Sequence, residues 1–358
     1  MEWTINEVDL HVTTACSGRC EYCYVDHGKT NELFRKAQAH GDTETLKTII
    51  RNIRVAGKAN DLVFVGGDPC QHPDLFELLG YAKELGLHTV VLSNTHAYRY
   101  RGIMVPMEKV VEVVDEMDFT LHGTPSVHNA FNGNCFAYES AVSQIKQFIS
   151  LRSEDQSVGV IINLTPENVE HLEETLKTFL TTVSLDPSRD TFLIQRIAPV
   201  GKAKENYARW KITRELVLKA LKVFESIRLE FGIGVRLDAV DVFPWCAVPE
   251  EYHYMLTPGG CQWGQPGGVL SVTQDGEIQR CALSGKNLGN FLELDTPEKF
   301  EAFYRDNSTL KAFREKRHLP ESCLKCKYFA QCGGGCVIAT GGDPYASEEI
   351  PVASDYLA

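Results

Sequence analysis

Apolar residues in this chain fall into short runs separated by amphipathic stretches of helical period. Stretches near residues 43–54, 73–85, 107–116, 138–150 and 167–180 repeat apolar positions every three to four residues and predict helices. Each leads into a compact run, at 61–65, 88–92, 119–121, 158–162 and 191–194, that predicts a strand, and residues 8–13 supply another at the start. Six such units fit a parallel sheet with helices outside. Right-handed crossovers curl that sheet into an α/β fold, a partial (βα)6 barrel with its chemistry at the C-terminal strand ends. A helix over 214–230 and a strand over 234–238 close this part. Beyond about residue 240 the texture turns to Gly, Pro and Cys with few long periodic segments, so the expected units are residues 1–240 and 241–358.

Charge and composition narrow the function. The 358 residues carry a formal net charge of −12 and no basic stretch, which weighs against nucleic acid and favours neutral or cationic substrates. No run of 18 apolar residues occurs, and the first residues lack the charged and apolar regions of a signal peptide. The expectation is a cytoplasmic protein with no membrane association. Twelve cysteines without an export signal read as metal ligands rather than disulfides.

Three of them, Cys16, Cys20 and Cys23, form a C-x3-C-x2-C run in the loop after the first strand. Soft thiolates suit iron–sulfur clusters, and three of them on a four-iron cluster leave one iron open to a small molecule. Zinc with a distant histidine, or a disulfide, are the plainer alternatives. With Tyr22 before its third cysteine, the run resembles the signature of the radical S-adenosylmethionine (SAM) superfamily. That resemblance implies a [4Fe-4S] cluster that chelates SAM and yields a 5′-deoxyadenosyl radical. Further segments extend the likeness. Gly66-Gly67-Asp68-Pro69 stands where relatives carry Gly-Gly-Glu-Pro against the SAM amino group, although a bare βα turn also fits. Ser93 and Asn94 stand where relatives show Thr-Asn, and Thr120 corresponds to a hydroxyl near the SAM carboxylate. His122 replaces a common Asp, and either faces substrate or bonds the backbone. Asn132 occupies the place of an Arg that meets the SAM carboxylate, which leaves Arg196, in Arg196-Ile-Ala-Pro-Val-Gly201, as another cation.

The later cysteines identify a subgroup. Cys261-x14-Gly276-x4-Cys281, then Cys323-x2-Cys326-x5-Cys332-x3-Cys336, is similar to the SPASM auxiliary domain, against the alternative of two zinc ribbons. The segment 270–281 reads as a β-hairpin turning at Asp275-Gly276. By the family's interleaved pattern, Cys261, Cys281 and Cys336 hold one auxiliary cluster and Cys323, Cys326 and Cys332 a second. Cys246 completes the first, or its iron stays open for substrate. The family's final cysteine has no counterpart in this sequence, so the expected fourth ligand of the second is Asp355, Asp343 or water, unless the sequence ends short of the natural terminus. Cys70 and Cys135 match nothing and read as packed thiols.

The resemblance implies a peptide or protein substrate that is cross-linked through a thioether or C–C bond, or oxidised at a side chain. With fifteen residues before Cys16 no leader-binding domain is expected upstream, so a separate recognition protein or direct docking would serve. A flavodoxin- or ferredoxin-type donor would supply the electron. A small-molecule oxidoreductase of tetrapyrrole or cofactor synthesis is the second class. A sulfatase-type maturase ranks lower, because Ala282 follows Cys281 where those relatives carry an Asp.

Overall fold

Among the described residues there are twelve strands: β1 (Glu7–Thr13), β2 (Asp61–Gly66), β3 (His88–Leu92), β4 (Arg99–Tyr100), β5 (Ile103–Met104), β6 (Glu116–Thr120), β7 (Ser157–Leu164), β8 (Thr191–Arg196), β9 (Gly234–Arg236), β10 (Val269–Val272), β11 (Glu277–Gln279) and β12 (Gly289–Asn290). The computed structural model describes residues 3–26, 34, 38–95, 97–237, 242–317, 319, 321–336 and 338. Ten strands make one sheet in the order β12-β11-β10-β1-β2-β3-β6-β7-β8-β9, and β4 pairs with β5 in a separate short hairpin. From β1 to β9 every neighbour is parallel, as an unbroken series of crossovers requires.

The helices follow from their sequences. Thr43–Val55 starts on the Asp42 side chain, which accepts from the Thr45 amide, and buries Leu46, Ile49, Ile50 and Ile53. Leu75–Glu84, Ala137–Leu151, Leu172–Thr182 and Arg214–Phe231 likewise bury one apolar face each. Their side chains join those of the strands, Leu10, Phe64, Val91, Phe119 and Ile194 among them, in one core.

Two expected helices differ. The stretch at 107–116 is a single turn, Met107–Val110, and β6 begins at Glu116. Asp115 explains the early stop, since its carboxylate accepts from the Thr89 amide and Lys83 Nζ while its own amide bonds Thr89 O. These bonds draw the backbone into the sheet margin. The stretch at 167–180 is two helices, Pro166–Val169 with a Thr165/Asn168 capping box and Leu172–Thr182.

Past residue 240 the predicted hairpin is present. Ser271 pairs with Gln279 and Val272 with Ile278, and Gly276 turns the chain at φ +82°. Its placement was not foreseen: β10 runs parallel beside β1, with Leu10 opposite Val272. The helices Pro297–Asp306 and Ser308–Arg314 also lie here, burying Phe300, Tyr304, Leu310 and Phe313 where little periodic structure was expected. Among the described residues no helix is long and apolar enough to cross a membrane.

Candidate active site

The loop carrying Cys16, Cys20 and Cys23 leaves β1 and is held by its neighbours' backbones. Gly67 N donates to Thr13 O and Asp68 N to Ala15 O, each at 2.8 Å. A Cβ at Gly66 would stand 2.3 Å from Thr13 O, and one at Gly67 would stand 2.3 Å from Ala15 O. The two glycines therefore let the end of β2 lie flush against the cysteine loop. From the other side Lys202 N donates to Cys23 O at 3.0 Å, and Gly201, at φ +55°, has no room for a Cβ against that same carbonyl.

The thiols converge. A point beside Gly18 lies 3.3 Å from Cys16 Sγ and 3.8 Å from Cys20 Sγ, and all three cysteines line one cavity. Burial first, then neighbouring Asp68 and the other two thiols, pushes Cys16 up to about 12, and burial with Cys23 does the same to Cys20. Burial also raises Cys23. Such thiols stay protonated until a metal displaces the proton, and Gly18 N and Asp26 N, each 3.2 Å from a cysteine sulfur, can donate to the thiolates so formed. Among the described residues no group of three or more His, Cys, Asp and Glu closes on the space of a single ion. A four-iron cluster takes its thiolates at different corners, and the three-cysteine loop fits that group.

Of the other expected site residues, Tyr22, Gly66, Gly67, Ser93, Asn94, Thr120, His122 and Arg196 line the same cavity. Tyr22 Oη bonds His122 Nδ1 at 2.6 Å, within ring contact of Phe131 and Trp210. Burial, and secondarily His128, depresses His122 to about 3, so the imidazole is neutral. Its Nε2 and the Asn94 Oδ1 are buried without a hydrogen-bond partner among the described residues, which suits a ligand bearing both acceptor and donor groups. Arg196 donates to Val242 O at 3.1 Å and packs over Phe243.

Three expected contacts lie elsewhere. Asp68 is turned inward, accepting from Cys70 N, Ser93 Oγ and Thr95 Oγ1 at 3.0, 2.7 and 3.1 Å, and Pro69 opens the short 3-10 turn that it caps. Asn132 is spent on His128, donating to Nε2 and to the carbonyl, behind the cysteine loop. Neither Asp68, Pro69 nor Asn132 lines the cavity. Asp9, Asn163 and Gln195 do, and sequence reading missed them; for Asn163 the signal was a polar residue in the apolar run 160–164.

The late cysteines form two groups. Cys261, Cys281 and Cys336 share a buried cluster with Trp263, Ala198 and Phe313, and Ala282 and Leu283 beside them reach the cavity. Cys246 lies instead toward Cys332 and Cys326, whose sulfurs add to burial in raising its thiol. Asp343 and Asp355 fall outside the described residues.

Residues 10–179 match the Radical SAM superfamily. The AdoMet-dependent heme synthase of Oleidesulfovibrio alaskensis is 23% identical over 346 residues, 90% of this chain and 80% of that protein. The PqqA peptide cyclase of Ruegeria pomeroyi is 23% identical over 351 residues, 95% of this chain and 85% of that one. Among solved structures, Streptococcus suis SuiB bound to its precursor peptide SuiA superposes with a TM-score of 0.68 at 17% identity, covering 94% of this chain and 72% of SuiB. Over residues 10–179 the chain resembles the radical SAM superfamily. The late cysteine pattern and these likenesses support a radical SAM enzyme of the SPASM subgroup, with a [4Fe-4S] cluster for SAM and auxiliary clusters.

Proposed function

We propose that this enzyme removes hydrogen from a peptide or protein, forming a thioether or C–C cross-link or oxidising a side chain, with residues 241–358 as the auxiliary cluster domain. The observation that carries the reading is one cavity lined both by Cys16, Cys20 and Cys23 and by Ala282 and Leu283 next to Cys281. A substrate there touches both the initiating site and the auxiliary region. Among the described residues main-chain pairing runs from β12 to β9 without closing, which suits an extended chain entering from the side.

Bound at Cys16, Cys20 and Cys23, the cluster would supply one-electron cleavage of SAM to a 5′-deoxyadenosyl radical. The protein's own part is to position and to exclude water. Tyr22 walls the site with its ring, backed by Phe131 and Trp210, His122 and Asn94 offer unpaired polar atoms, and Arg196 brings positive charge. The overall charge of −12 is in keeping with a cationic peptide, while burial, and then Glu7, hold the lining Asp9 carboxyl well above the usual carboxylate range. The PqqA peptide cyclase likeness supports a peptide; the equal likeness to heme synthase supports the second reading, a small-molecule oxidoreductase.

Co-expression with short peptides encoded nearby, read by mass spectrometry, is the test. Loss of two hydrogens from a peptide is expected, and the Cys16→Ala/Cys20→Ala/Cys23→Ala variant should abolish both that loss and 5′-deoxyadenosine. Unchanged peptides together with porphyrin turnover would transfer the assignment to the second reading.

A further inference from the structure

Cys246 was grouped by sequence with Cys261 and Cys281, fifteen residues upstream of the former; its surroundings in the fold are different. It sits in a short 3-10 turn, Trp245–Ala247, and that turn packs on the loop that carries Cys323, Cys326 and Cys332. The Trp245 ring lies 6.3 Å from that of Tyr328, His253 bridges Trp245 and Tyr328 with ring separations of 4.8 and 5.1 Å, and Glu250 binds Lys327 Nζ at 2.8 Å and the Tyr328 hydroxyl. One residue further along, Cys336 N donates to Val242 O at 2.9 Å, and Gly335 lies against Pro244. The turn is thus pinned at both ends to the segment 326–336. Within that frame the sulfurs of Cys332 and Cys326 act on Cys246, and those of Cys246, Cys332 and Cys326 act on Cys323, so the four lie within electrostatic reach of one another. Cys261, Cys281 and Cys336 are packed separately, among Ala198, Trp263 and Phe313.

We infer that Cys246 is the fourth thiolate of the cluster held by Cys323, Cys326 and Cys332. The inference rests on the reading that the late cysteines hold iron–sulfur clusters. Four thiolates close every corner of a cubane, so this centre has no iron for substrate and is suited to electron transfer alone. The thiolates left to the other centre are Cys261, Cys281 and Cys336, beside the cavity.

The test uses the full-length protein carrying Cys16→Ala/Cys20→Ala/Cys23→Ala, so that only the auxiliary iron is counted after anaerobic reconstitution. Cys246→Ala and Cys323→Ala should each reduce iron and sulfide and alter the same component of the electron paramagnetic resonance spectrum of the reduced protein. Their combination should remove no more than one cluster, whereas Cys246→Ala with Cys261→Ala should affect two. Loss of iron in Cys323→Ala with a full complement in Cys246→Ala would overturn the ligand assignment. The reverse pairing, with Cys246→Ala non-additive with Cys261→Ala, would return Cys246 to the first cluster and also overturn it. Iron unchanged in all of these variants would instead remove the cluster reading itself. A second measurement needs no variant. Cys246 and Cys135 are both exposed thiols, so in the unsubstituted holoprotein iodoacetamide should label Cys135 but spare Cys246 until the clusters are removed by chelation. Equal labelling of the two before chelation would count against the assignment.

Discussion

At the residue scale, the glycines of Gly66-Gly67-Asp68-Pro69 are required by contact rather than by turn geometry alone. A methyl group at Gly67 would meet Ala15 O at 2.3 Å, so Gly67→Ala must push the cysteine loop away from β2. The expected result is a protein that folds but retains about one cluster less iron and cleaves no SAM; normal iron and cleavage would show that the loop tolerates the displacement. Asp68 invites the opposite experiment, because the family residue is a glutamate. Its two oxygens already satisfy Cys70 N, Ser93 Oγ and Thr95 Oγ1 in a fully enclosed pocket. An added methylene there overpacks the site, so Asp68→Glu should destabilise by about 1–3 kcal/mol. Thermal melting should detect the loss, and a SAM titration should show no gain in affinity. A stabler variant with tighter SAM binding would mean that this carboxylate reaches the ligand after all.

At the element scale, the helix Ala137–Leu151 is locked to the sheet by one buried pair. Arg152, just past its end, forms two bonds to Asp190, at 2.5 and 2.7 Å, and Asp190 also accepts from Val158 N and Asp186 N. Both side chains are enclosed, at 1% and 0% exposure, so truncating one leaves an unpaired buried charge. Arg152→Ala should therefore cost about 3–5 kcal/mol, read from chemical denaturation, and a loss below about 1 kcal/mol would refute the account. Elements of this kind explain what sequence could and could not disclose. The βα alternation was legible because each strand is a dense apolar run and each helix repeats its apolar face. The helix expected at 107–116 failed because its valines and its period resemble a helix locally, while Asp115 is claimed by Thr89 and Lys83 from a distant strand and helix. In the site, the cysteine loop and most of the cavity residues were legible from short motifs. Asn132 and Asp68 were not, since only the fold reveals that their hydrogen bonds are already taken. Trp210, buried, packs edge-on against Tyr22 with ring centroids 5.5 Å apart.

At the scale of the whole molecule, charge inside the barrel sets the response to pH. Glu7 on β1 stands beside Asp61 on β2 in register, and burial, then Asp61 and Glu116, raises its carboxyl to about 7. Because the folded value exceeds the unfolded one, the native state holds that proton and loses stability as pH rises through about 7. Glu7→Gln should accordingly raise the melting temperature more at pH 8 than at pH 5.5, and equal shifts would contradict the sign. His11 and His128 work in the other direction, depressed by burial to about 3 and about 4, and withdraw stability as pH falls below about 6.5. The pairing of β10 with β1 governs the molecule differently. One end of that ladder leads to Cys16 and, through the turn at Gly276, its partner leads to Cys281. Clusters held at Cys16 and Cys281 would be mounted on adjoining strands, so the gap an electron must tunnel would be set by that ladder and not by a hinge. Turnover would then be timed by the arrival of substrate and reductant, with no opening and closing of the two halves to gate it.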